Sequence, residues 1–144
     1  MSSEDLTGSH VAGYHLLERV GEGGTATVYR AQHESRGVCA LKVLRPRLRA
    51  DRTAAQRFLR EAAYGARVRH AGVVRTFEYG EAPDGVQYLA LEWAEGELLA
   101  KFVRRTGPVA LTLASSVVRQ VAGALAAAHA VGIFRRDLKP ENII

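Results

Sequence analysis

The chain has 144 residues, 47% of them hydrophobic and 24% charged, with a formal net charge of +5. This composition suits a globular chain that buries a core and excludes a disordered one, and the single cysteine, Cys39, excludes an internal disulfide or a cysteine-rich zinc site. The longest small-apolar run is residues 121–128, short of the about 20 residues that a bilayer crossing needs, and residues 1–10 have neither the basic nor the apolar region of a secretory signal.

Residues 1–13 are small and polar and read as a flexible N-terminal tail. Residues 14–20 read as a strand, followed by the cluster Gly21-Glu22-Gly23-Gly24. Thr25, Thr27, Val28 and Tyr29 favour a second strand over residues 25–32. After a polar turn, residues 38–44 form a third strand, apolar on both faces and therefore central or covered. Short connections between these strands imply an antiparallel meander. Pro46 interrupts the pattern, and Asp51 or Thr53 caps a helix running to about residue 69. Ala55, Phe58, Leu59, Ala62 and Ala66 recur along it at helical spacing. Residues 73–79 and 86–93 read as two more strands around a turn at 80–85. Helices follow at 97–105 and 112–130, the second with Leu113, Val117, Val121, Leu125 and Ala128 on one stripe and Gly132 beyond its end. Residues 133–144 read as irregular. The change of texture near Glu95-Gly96 marks the boundary between two lobes.

Three groups of residues carry chemistry. A strand, a glycine turn and a second strand can bring backbone N–H groups against phosphate oxygens, where any Cβ would hold the backbone away. A dinucleotide fingerprint would need a helix next, so that fold is disfavoured, and taken alone the glycines are better explained by a flexible hairpin turn. Lys42 ends the central strand, where a buried ammonium calls for a carboxylate or a phosphate unless its stem snorkels to solvent. Glu61 lies beside the apolar stripe of the first helix, and it is either that partner or a surface charge. The run Asp137-Leu138-Lys139-Pro140-Glu141-Asn142 places a base, a cation and a neutral oxygen ligand on a non-helical loop, the parts that phosphoryl transfer requires.

In their order and spacing these motifs resemble the eukaryotic-type protein kinase family, and its bacterial serine/threonine branch in particular. The resemblance covers residues 14–144. It implies an α+β, protein-kinase-like fold, with a five-stranded antiparallel N-lobe sheet holding one inserted helix (residues 14–94). The first helices of a truncated helical C-lobe would follow (residues 95–144). The implied activity is ATP- and Mg²⁺-dependent phosphoryl transfer to protein hydroxyls. By this resemblance Gly21, Gly23 and Gly24 cover the ATP phosphates, and Val28 and Ala40 lie over adenine. Lys42 holds the α- and β-phosphates and pairs with Glu61. Leu91 is the gatekeeper, the backbone from Glu92 to Ala94 is the hinge, and Ile144 lies beneath adenine. Asp137 is the catalytic base, Lys139 contacts the transferred phosphate, and Asn142 binds Mg²⁺.

The sequence departs from the family pattern at several points. The third glycine of the loop is Ala26, and the histidine expected two residues before Asp137 is Arg135. A bulky apolar residue expected four residues after Glu61 is Gly65. Arg136, whose usual partner is an activation-loop phosphate, has no such loop in these 144 residues, and they contain no DFG segment. The expectation is therefore a serine/threonine kinase by family, inactive as these 144 residues alone. The alternative is a degenerate module that binds nucleotide or a partner kinase without turnover. A kinase or other protein partner covering the incomplete C-lobe fits either reading, with a cytoplasmic location for the kinase lobe and membrane tethering left open. Nucleic-acid binding is disfavoured, because seventeen of the twenty basic residues are arginines spread along the chain. The three lysines are Lys42, Lys101 and Lys139, and two of them fall where the kinase pattern needs a compact ammonium.

Overall fold

The computed structural model describes residues 4–134 and 137–144. Arg135 and Arg136 lie outside the described residues. The strands are β1 (His10–Val11), β2 (Tyr14–Glu22), β3 (Ala26–His33), β4 (Gly37–Leu44), β5 (Thr76–Glu81) and β6 (Gln87–Glu92). The helices are α1 (Pro46–Arg49), α2 (Arg52–Ala66), α3 (Leu99–Thr106) and α4 (Leu111–Ala130), with a 3-10 turn at Pro140–Asn142. The chain divides into two compact units, a sheet unit (Met1–Arg67 with Val74–Trp93) and a helical unit (Val68–Val73 with Ala94–Ile144).

The sheet has six strands in the order β1-β2-β3-β4-β6-β5, all pairs antiparallel. The count exceeds the expected five by β1, which lies in the stretch read as a tail. Ala12 and Gly13 make a two-residue turn there with positive φ at both positions (49° and 86°), the geometry that suits a tight hairpin. Val11 enters the core, Leu6 packs against it, and the Leu6 N–H donates to the Tyr29 hydroxyl at 3.1 Å. These contacts order residues that polarity alone assigns to solvent.

The period of two along the strands builds the core. Tyr14, Leu16, Tyr29, Ala31, Cys39, Leu41 and Ala90 are shielded completely or nearly so on one face. β4 lies between β3 and β6, which is why its sequence is apolar on both faces. Cys39 faces this core, with its Sγ 3.7 Å from the carbonyl oxygen of Ala31. α2 begins at Asp51, whose carboxylate accepts from the N–H groups of Thr53 and Ala54 at 2.9 and 3.1 Å and satisfies two otherwise unpaired donors. Pro46, expected as a breaker, starts α1 instead, because proline suits the first helical position. β5 begins at Thr76, three residues later than expected. Val73 is held in a turn by its N–H bond to the His70 carbonyl, at 3.0 Å.

In the helical unit, the Gly132 N–H donates to the His129 carbonyl at 2.9 Å and closes the end of α4. Along α4 only Ala128 is buried. By length and composition α4 is the one described helix that reaches what a membrane crossing needs, which corrects the expectation from uninterrupted runs. Ser115, Ser116, Arg119 and Gln120 interrupt the run without outweighing the surrounding valine, leucine and alanine.

Candidate active site

The sheet unit carries the first group of site residues. Gly21 pairs with Val28, Val28 with Lys42, and Lys42 with Leu89, one row across four strands. The neighbouring row is Arg30, Ala40 and Leu91. Cross-strand partners leave a sheet on the same side, so both rows belong to the face opposite Tyr29, Leu41 and Ala90. Val28, Ala40, Lys42 and Leu91 are half-buried. Together they make an apolar wall containing one ammonium, whose four-carbon stem suits the valine and leucine beside it. Leu89 belongs to this wall and was missed in the sequence, although it stands two residues from Leu91 and shares its face.

The glycine turn lies at the end of that wall. The Gly23 N–H closes the turn by donating to the Ala26 carbonyl at 2.8 Å. Arg45 donates to the Gly23 carbonyl at 3.0 Å and Arg47 to the Gly24 carbonyl at 2.6 Å. Neither arginine stands out in the sequence. At the far end of β6 the Glu92 N–H donates to the Arg75 carbonyl, and the Glu92 carboxylate accepts from the Arg75 N–H, each at 2.9 Å. Glu61 is exposed on α2, one residue before buried Ala62.

The helical unit carries the second group. Lys139 Nζ lies 3.3 Å from the Asp137 carboxylate. The Asn142 amide nitrogen donates to the Asp137 carbonyl at 3.1 Å, and the Asn142 N–H donates to the Lys139 carbonyl at 2.9 Å. Asp137, Lys139 and Asn142 are thus tied into one closed loop. The Asp137 side chain is 75% exposed and that of Lys139 49%, so the pair contributes little to stability. The loop is anchored where the Ile143 carbonyl accepts from the Leu99 N–H at 2.8 Å, since α3 has no side-chain cap there. Ile144 follows, and its Cγ2 lies 2.9 Å from the position a Cβ on Gly96 would occupy. Ala94 is half-buried at the start of this unit's second segment. Nearby, Arg105 binds the Glu97 carboxylate at 2.9 and 3.2 Å, and these hydrogen bonds hold the carboxyl below its ordinary range.

The donor chemistry suits a hard divalent cation. The Asn142 amide spends its nitrogen on Asp137 and leaves its oxygen as an acceptor, close in sequence to the Asp137 carboxylate. Mg²⁺ keeps several waters and takes one or two protein oxygens plus substrate phosphates, so a partial protein set is sufficient. Among the described residues no cluster of three His, Cys, Asp or Glu forms a complete cage.

The protein kinase domain family matches residues 14–144. The chain is 36% identical to the serine/threonine-protein kinase pkn3 of Myxococcus xanthus, over 99% of this chain and 26% of that protein. It is 38% identical to the serine/threonine-protein kinase PknE of Mycobacterium tuberculosis, over 99% of this chain and 25% of that protein. It therefore spans about a quarter of the length of these curated relatives. The crystal structure of the Mycobacterium tuberculosis PknI kinase domain superposes with a TM-score of 0.77 at 33% identity, covering 94% of this chain and 56% of that one.

Proposed function

Because this chain belongs to the protein kinase domain family, we propose that it carries the nucleotide-binding lobe and catalytic loop of a serine/threonine kinase. The observation that supports this most is the closed loop in which Asp137, Lys139 and Asn142 are tied together. In this reading residues 14–94 handle ATP. Gly21, Gly23 and Gly24 cover its phosphates, and Val28, Ala40 and Leu91 line the base. The backbone of Glu92 and Ala94 meets the adenine edge. Lys42 binds the α- and β-phosphates and is oriented by Glu61. In the loop, Asp137 accepts the proton of the attacking hydroxyl, which must lie within hydrogen-bond reach of its carboxylate. Lys139 offsets charge on the transferred phosphoryl group. Asn142, with phosphate oxygens, would hold Mg²⁺, which neutralises the phosphate charge when bound.

Protein hydroxyls are the proposed substrate, and a protein partner on the helical unit remains part of the reading. The kinase lobe is assigned to the cytoplasm. α4 is read as the core helix of a helical lobe, since it lies inside the matched domain.

A second reading is a nucleotide-binding module without turnover. It is favoured by Gly65, where a Cβ would meet only Thr76 Oγ1 at 3.9 Å, so the apolar contact made by a bulky residue there is missing. One set of measurements separates the two. ATP titration into the 144-residue chain should show binding that Lys42→Ala abolishes, and retained affinity in that variant overturns the pocket. These 144 residues alone should transfer no phosphate to a generic protein substrate with ATP and Mg²⁺. Transfer that Asp137→Ala removes would establish catalysis and sink the second reading.

A further inference from the structure

Two arginines that the kinase reading does not use grip the glycine turn from one side. Arg45 Nη1 donates to the Gly23 carbonyl at 3.0 Å while its Nη2 pairs with Glu22, and its backbone N–H donates to the Thr25 carbonyl at 2.9 Å. Arg47 Nη2 donates to the Gly24 carbonyl at 2.6 Å. The two flank Pro46, whose ring fixes φ at the first position of α1. Arg49 braces the same segment through the Leu44 carbonyl at 3.3 Å and through Glu4 at 3.2 Å. The grip therefore comes from a stiff corner and not from two free side chains.

Peptide geometry gives this grip a consequence. A trans peptide points its carbonyl and its N–H in opposite directions. Holding the Gly23 carbonyl toward Arg45 aims the Gly24 N–H away from Arg45. Holding the Gly24 carbonyl toward Arg47 likewise aims the Thr25 N–H away from Arg47. Among the described residues neither of these N–H groups donates within the chain, whereas the Gly23 N–H is taken by Ala26. Two successive amides left without a partner in the chain are free to donate to an anion. A flexible glycine turn would have to order itself on each binding event, at a cost in affinity that fixing it beforehand removes.

We propose that Arg45 and Arg47 are positioning residues that clamp the carbonyl side of the glycine turn and thereby preorganise the Gly24 and Thr25 amides for the phosphates of a nucleotide. The proposal rests on the reading of this turn as a phosphate cover. It differs from simple charge attraction, because the guanidinium fork of Arg45 spans Glu22 and Gly23 at once and a lysine cannot.

The test compares ATP with adenosine, which has the base and lacks the phosphates, by calorimetric titration of the 144-residue chain. In the double variant Arg45→Ala/Arg47→Ala, ATP affinity should fall roughly tenfold, as expected for losing charge-assisted hydrogen bonds, with adenosine affinity unchanged. Arg45→Lys/Arg47→Lys, which keeps the charge and protects against a fold that fails without it, should lose most of the same factor. Full rescue by lysine, an unchanged ATP-to-adenosine ratio, or parallel loss of both ligands each overturns the clamp while leaving the pocket standing. Wild-type chain that binds neither ligand overturns the nucleotide reading itself. The clamp is then decided without ligand, by the NMR amide signals of Gly24 and Thr25. These should be sharp in the wild type and exchange-broadened in the alanine variant, and identical signals in both reject the clamp.

Discussion

The two units spend their apolar residues differently. In the sheet unit the large, fully buried side chains Tyr14, Tyr29, Leu16, Leu41, Val43 and Cys39 belong to one core cluster. In the helical unit the buried residues among those described are Val68 and Ala128, while Leu111 is 82% exposed and Phe134 70%. Burial is the main favourable term in folding, so the sheet unit holds its own core and the helical unit depends mainly on local bonds. The chemistry divides along the same line. Lys42 stands on a packed sheet, whereas Asp137 stands on a loop fastened by hydrogen bonds to its own backbone.

Leu41→Ala tests the sheet side and has the largest expected effect. It should cost about 2–5 kcal/mol, the usual range for a leucine truncated in a packed core. Denaturant unfolding followed by the fluorescence of Trp93, which lies in the sheet unit, measures it. A cost below about 1 kcal/mol would show that this core does not govern the unit's stability. On the helical side Gly96→Ala should come next. Gly96 sits at φ 139°, where side-chain-bearing residues are strained, and the new methyl would press on Ile144. About 1–3 kcal/mol is expected, read as a lower midpoint of helical circular dichroism at 222 nm. Asp51→Ala removes the cap of α2 and should cost about 1 kcal/mol in the same assay.

Alkaline pH should separate the units further. Burial first, and the nearby Glu78 carboxylate second, push the Tyr14 phenol pKa well up from its ordinary 10.0. A folded-state value above the unfolded one stabilises fully below the unfolded value and is lost as pH rises past it. Stability read from unfolding followed by Trp93 should therefore fall above about pH 10, and Tyr14→Phe should reduce that dependence. The same substitution should be nearly neutral at pH 7, because the buried Tyr14 hydroxyl has no hydrogen-bond partner among the described residues. The smallest effect belongs to Leu111→Ala, expected within about 0.5 kcal/mol on the exposed start of α4. A larger loss would mean that Leu111 is covered, and the contrast between the units would narrow.

These contrasts also explain what the sequence made legible. β3 was readable from its branched and aromatic residues, and β4 from an apolar run suited to cover on both faces. β1 was not, because its turn uses Ala12 at φ 49° in place of the Asn, Asp or Gly that announces such a hairpin. Val73 and Val74 looked like strand by their branching, yet a local turn bond holds Val73 out of the sheet. Lys42, Asp137, Lys139 and Asn142 were identified by residue type and spacing, and the structure adds how the last three are bound to one another. Arg45 and Arg47 were hidden for a statistical reason. With seventeen arginines in the chain, only the coordinates single out the two that reach the carbonyls of the glycine turn.

The solitary thiol of Cys39 has a practical consequence. It is fully shielded, and burial raises its pKa and further suppresses the reactive thiolate. An alkylating reagent meets it only when β3 and β4 part. The rate of labelling in native buffer is thus a clock for openings of the sheet, set by their frequency when reaction outpaces reclosure and by their population when it does not. Because the chain has no second cysteine, that clock carries a single signal, and added ATP would slow it in proportion to how firmly the nucleotide holds the strands shut.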